Sequence, residues 1–145
     1  MPDFMPRLSA DDRALWLRLS AILVDNKRPP AVTELLTLLD MRRDVLVPTL
    51  TRLAYAGHIV AVVANRYFLP EHLAELAQMA EQLAADADGA LTVREFRDRS
   101  DLGRNLAVDV LEYFDHLGFT RRKGDVRSVV PGTAALLAFR PGKLR

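Results

Sequence analysis

The chain has 145 residues, half of them apolar and 27% charged, which suits one ordinary folded domain or two small ones and excludes a disordered polymer. Twenty Lys/Arg stand against 19 Asp/Glu, so the net charge of +1 excludes a uniformly basic polyanion binder. Cysteine is absent, which excludes disulfides and thiolate metal sites. His58, His72 and His116 have no metal-ligand spacing, so no metal site is expected. No apolar run reaches the roughly 18 residues of a bilayer span, and MPDFMPRLSADDR lacks the basic and apolar regions of a signal peptide. A soluble cytoplasmic protein is the resulting expectation.

A first helix is expected over residues 9–24, capped by Ser9, with Leu15, Leu19, Ile22 and Leu23 at helical spacing. Pro29-Pro30 blocks its continuation. A short second helix over 32–39 follows, then a third over 43–56 that stops at Gly57. Residues 59–63 and 66–69 flank Ala64-Asn65 as a hairpin. Pro70, acceptable in a first helical turn, opens a helix to about residue 86 with Leu73, Leu76, Ala77, Ala80, Leu83 and Ala84 as its apolar stripe. This helix both joins the two halves and serves as the first helix of the second, so a stiff linker is expected. Thr92-Val93-Arg94-Glu95 reads as a capping box opening the next helix. Ser100-Asp101-Leu102-Gly103 is a turn, and residues 103–117 are a helix that buries Leu106, Val110, Leu111, Phe114 and Leu117 and ends at Gly118. Residues 119–123 and 126–130 form a second hairpin around Gly124-Asp125.

These elements repeat with an offset of 61 residues: Ala31–Leu35 align with Thr92–Phe96, Asp40 with Asp101, Arg43 with Arg104, and Gly57 with Gly118. Three helices followed by a hairpin is the winged-helix variant of helix-turn-helix. The expected fold is mostly α with small β-hairpins (α+β), as tandem winged-helix domains: 1–69, 70–130, and a tail over 131–145 with two Pro-Gly pairs.

The near-zero charge is unevenly divided. Residues 1–89 carry 9 Lys/Arg and 12 Asp/Glu, a net of −3, and residues 90–145 carry 11 and 7, a net of +4. A helix-turn-helix presents the start of its third helix to nucleic acid, and here that start carries Arg104 and Asn105. Arg94, Arg97 and Arg99 lie on the preceding helix, and the wing holds Arg121, Arg122, Lys123 and Arg127 against Asp125. Arginine grips phosphate with a planar fork and stacks on bases. The competing reading is a solvated charged face with ion pairs such as Glu95–Arg99 at i,i+4.

The first copy is less suited to contact: Pro48 interrupts its third helix, Asp40 and Asp44 flank Arg42 and Arg43, and its wing holds only Arg66. It is read as a spacer or docking module. His58 is expected to pack or cap beside Gly57, His116 to sit at a favourable helix C-terminus, and Trp16 and Tyr113 to be core or partly buried. No Ser/His/Asp set, phosphate loop or paired carboxylates suggests catalysis, so the chain is not expected to be an enzyme and needs no cofactor.

Leu91–Arg99, Gly103-Arg104, Leu111-Glu112-Tyr113-Phe114-Asp115 and Gly118-Phe119-Thr120-Arg121-Arg122 resemble the last winged-helix domain of the bacterial selenocysteine-specific translation elongation factor, SelB. The likeness is close over residues 90–128, and residues 9–69 are more loosely similar to the preceding winged helix of that factor. The resemblance implies a C-terminal fragment of a GTPase whose winged helices bind an mRNA hairpin, the selenocysteine insertion element, next to a UGA codon. GTP binding belongs to the full-length factor, since this chain lacks a GxxxxGK[ST] loop. The ribosome and selenocysteyl-tRNA become partners only through that factor. The implied RNA-contact residues are Arg97, Arg99, Arg104, Arg121, Arg122 and Lys123. Asn105 stands where the family often has a second basic residue. Arg127 and Asn105 complete the candidate set from the charge pattern. The chain is expected to act as a monomer without membrane contact. A winged-helix DNA-binding transcription regulator and a purely protein-binding tandem are the alternatives; Asp109, Glu112 and Asp115 on the third helix argue against deep insertion into a DNA groove.

Overall fold

The computed structural model describes residues 8–130, which form two compact units, 8–70 and 71–130. The tail over 131–145 lies outside the described residues. In the first unit, α1 (Ala10–Val24), α2 (Val32–Leu39) and α3 (Arg43–Tyr55) precede the antiparallel strands β1 (Val60–Val63) and β2 (Arg66–Phe68). In the second, α4 (Pro70–Asp86), β3 (Leu91–Thr92), α5 (Val93–Ser100) and α6 (Arg104–Leu117) precede β4 (Thr120–Lys123) and β5 (Val126–Val129).

Apolar spacing explains the first core. Leu15, Leu19 and Leu23 of α1 meet Leu35 and Leu39 of α2, Leu46, Leu50 and Leu53 of α3, and Ile59, Tyr67 and Leu69 from the wing. Ser9 caps α1 by accepting the Asp12 N–H at 3.0 Å. Trp16 packs against this core, and its ring lies 4.9 Å from that of His58. Pro48 sits on the exposed side of a helix that nevertheless continues to Tyr55. Asp12 is buried and bonded bidentately by Arg52 at 2.7 and 3.0 Å.

The Arg52 bond holds the Asp12 carboxyl below the usual carboxylate range, against the opposing effect of burial. A depressed folded-state pKa adds stability above the unfolded value of about 3.9, and that stability is lost as pH falls through the folded value. Acid unfolding followed by fluorescence of Trp16, the sole tryptophan, should therefore show wild type losing its advantage over Asp12→Asn as pH drops below about 4. An advantage that grows toward acid would contradict this assignment.

The second core is aromatic. Phe114 is fully buried at its centre, edge-on to Phe119 at 5.2 Å and to Phe96 at 6.4 Å. Leu91, Leu102, Leu106, Val110 and Leu111 fill the space around them, while Leu117, expected inside, is 45% exposed on the last turn of α6. Tyr113 is half-buried beside this core, which pushes its phenol pKa up. α4 starts immediately after Leu69 and buries Leu73, Ala77, Ala80 and Ala84 at three- and four-residue spacing.

The repeat extends to backbone detail. α2 and α5 both end on an aspartate in the left-handed region, Asp40 and Asp101, 61 residues apart. α3 and α6 both close with an i→i−5 bond, from His58 N–H to Leu53 C=O and from Phe119 N–H to Phe114 C=O, each 3.0 Å. The sheets differ. The second unit has three strands in the order β3-β5-β4, because Leu91 and Thr92 pair with Arg127 and Val126. In the first, Pro30 occupies the position of Leu91 and has no N–H to donate, so one bond remains there, from Val32 N–H to Asn65 C=O at 2.9 Å. The two-residue strand β3 is an addition to the hairpin that the sequence suggests.

Candidate nucleic-acid interface

Three elements of the second unit converge on one concavity. Thr92 caps α5: its hydroxyl accepts the Glu95 N–H at 3.2 Å, and the Glu95 carboxylate accepts the Thr92 N–H at 3.2 Å and its hydroxyl at 3.0 Å. The capping box thus uses the carboxylate that i,i+4 spacing offers to Arg99, and the Glu95–Arg99 pair does not form. Arg94 then projects from the exposed first turn.

α6 starts differently. Gly103 at its N-cap has φ 81° and ψ 161°, a backbone region nearly restricted to glycine, and supplies no side-chain cap. The first amide groups of α6 are therefore left to solvent or ligand beside exposed Arg104 and Asn105, with the positive end of the helix dipole behind them. A Cβ at Gly103 would meet nothing within 4 Å, so the penalty of Gly103→Ala is conformational. It should cost about 1–3 kcal/mol of stability and displace Arg104. A urea denaturation midpoint equal to wild type would contradict that strain.

The wing completes the arrangement. Arg122 lies opposite Arg127 in the β4–β5 register, and its Nε donates to the Gly124 carbonyl at 3.0 Å. Arg94, Arg104 and Arg122 line a concavity of about 410 Å³ together with Val93, Val108 and Asp125. The apolar valines form a surface for a base, and the three guanidinium groups form a surface for phosphate. Among the described residues, no hydrogen bond or ion pair engages the side chains of Arg94, Arg99, Arg104, Arg121 or Lys123.

The fold divides the candidate set. Arg104 and Arg122 meet at the concavity with Arg94, and Asn105 is exposed on the same first turn of α6. Arg121 and Lys123 are exposed, but the pleat puts them on the opposite face of β4 from Arg122. Arg99 is exposed on α5 outside the lining residues, and Arg97, partly buried, pairs with Asp98 at 2.9 Å. Arg127 lines the concavity as well. It is 3% exposed, and its guanidinium is committed to Asp115 through bonds of 2.9–3.1 Å. Asp115 also accepts the Thr120 hydroxyl at 2.5 Å. Strand alternation signals the burial of Arg127, since its neighbours Val126 and Ser128 point outward; its acidic partner 12 residues upstream has no local signal.

Two successive three-helix units, each completed by a β-wing, define a tandem winged-helix protein. A family model described as "Elongation factor SelB, winged helix" matches residues 82–129. The selenocysteine-specific elongation factor of Escherichia coli K12 is 34% identical over 125 residues, which cover 86% of this chain and 20% of that protein. Its counterpart in Haemophilus influenzae Rd is 42% identical over 69 residues, or 48% of this chain and 11% of that protein. The chain thus spans a fifth or less of the length of these curated relatives. Among solved structures, the mRNA-binding domain of E. coli SelB, in complex with SECIS RNA, superposes with a TM-score of 0.76 at 32% identity, covering 84% of this chain and 98% of that one. A bacterial selenocysteine-specific elongation factor at 19% identity and TM-score 0.62 shares the fold. The chain belongs to the SelB winged-helix family.

Proposed function

We propose that this chain is the mRNA-hairpin-binding module of a selenocysteine-specific elongation factor. It holds the factor beside a UGA codon by gripping the selenocysteine insertion element. The observation that carries this reading is the concavity between α5, α6 and the second wing, which Arg94, Arg104 and Arg122 line together with Val93 and Val108. RNA is read at unstacked bases and backbone, which suits a compact basic hollow. The E. coli domain covered almost entirely by this chain is described in complex with SECIS RNA, which supports the same ligand. The second unit is the reader, and the first is a spacer or docking module.

Duplex DNA suits the site less. A recognition helix in a major groove would bring Asp109 and Glu112 toward phosphate; Asp115, the third acid, is neutralised by Arg127. In this reading the module acts as a cytoplasmic monomer without cofactor or catalysis of its own, and it meets the ribosome and selenocysteyl-tRNA only through the rest of the factor. No helix among the described residues is long and apolar enough to cross a membrane.

Gel shifts with an insertion-element hairpin, a scrambled hairpin and duplex DNA, at two salt concentrations, test this assignment. The hairpin should bind best, with affinity falling as salt rises because phosphate contacts release counterions. Preference for duplex DNA would replace the reading with the regulator alternative. Failure to shift any of the three nucleic acids at either salt concentration would leave a protein-docking tandem.

A further inference from the structure

We infer that Asp115, Thr120 and Arg127 are positioning residues that brace the second wing against its recognition helix and so set the separation of Arg104 and Arg122. This rests on the RNA-binding reading above and deepens it. One carboxylate, on the last turn of α6, bonds both wing strands: β4 through Thr120 at 2.5 Å and β5 through Arg127 at 2.9–3.1 Å. Arg127 lies directly opposite Arg122 in the strand register, so the brace grips the rung that carries the exposed arginine.

The first unit provides an internal comparison. The 61-residue offset places Arg66 at the position of Arg127, but Ala54 at that of Asp115 and Ile59 at that of Thr120. With Ala54 in place of that carboxylate, the first unit turns Arg66 to the backbone carbonyl of Pro29, before α2. Both wings keep the arginine; only the unit with the basic concavity ties it to the helix that carries a contact residue. Bidentate, charge-assisted bonds fix orientation as well as distance, which a hydrophobic contact does not.

The test separates positioning from stability. A buried ion pair replaced as a whole by apolar side chains of similar volume often keeps its stability, so Asp115→Leu/Thr120→Val/Arg127→Met is the main variant. Asp115→Asn, which keeps the shape and an acceptor for Thr120, is the second. Each is measured at a temperature where circular dichroism shows it folded, against an insertion-element hairpin and the same stem with an altered loop. The brace predicts about tenfold weaker hairpin binding, a loop discrimination falling toward one, and a salt slope shallower by about 0.7–0.9 for a lost phosphate contact. Folded variants with wild-type affinity, discrimination and slope would overturn the brace while leaving the RNA reading intact. Wild-type protein that fails to discriminate the hairpins would overturn both.

Discussion

Replacing Arg104 and Arg122 together by alanine should weaken hairpin binding by about 2–6 kcal/mol, at least roughly thirtyfold, while leaving the fold intact. Both side chains are exposed, and neither has an ion-pair partner among the described residues, so their removal orphans no buried group. Each lost charge-assisted contact accounts for about 1–3 kcal/mol. Filter binding of the double variant checks this, with circular dichroism as the folding control. Arg121→Ala/Lys123→Ala removes the same charge from the opposite face of β4. It should produce the smaller loss, because that face lies outside the concavity. Equal losses from both pairs would show that net charge alone governs binding.

Arg127→Ala should act on folding instead, with a cost of about 3 kcal/mol. Truncation leaves Asp115 with a side chain only 24% exposed and no counter-charge, and an unpaired, largely buried carboxylate is among the more destabilising lesions a small domain can carry. Urea denaturation followed by circular dichroism measures the effect. A shift below about 0.5 kcal/mol, the usual range for a surface change, would contradict the buried pair.

The contrast between these arginines shows what local sequence pattern can and cannot reveal. The elements were legible: leucine and alanine spacing marks the helices, glycine marks the ends of α3 and α6, and the 61-residue repeat confirms the reading by supplying it twice. Strand β3 was not, because two residues carry no period. The basic wing was legible as charge but not as geometry. Arg121, Arg122, Lys123 and Arg127 look equivalent in composition. The pleat gives Arg122 to the concavity and Arg121 and Lys123 to the opposite face, and a carboxylate on α6 takes Arg127. Arg94 shows the converse. It stood among the nearby helix arginines and outside the implied contact set, yet the Thr92–Glu95 capping box anchors it at the concavity, while Arg97, which was in that set, pairs with Asp98. For Arg127 the deciding partner lies 12 residues away, beyond the reach of periodicity, whereas Arg97 is taken by its sequence neighbour.

On the proposed function, RNA is held in the hollow of the second winged helix. Backbone amide shifts of the isotope-labelled chain during titration with an insertion-element hairpin test it most directly. Perturbations should concentrate at Arg94, at Gly103 to Asn105 and at Arg122 to Asp125. Shifts centred instead on α3 of the first unit, or on the Arg121 and Lys123 face with the hollow unmoved, would contradict it.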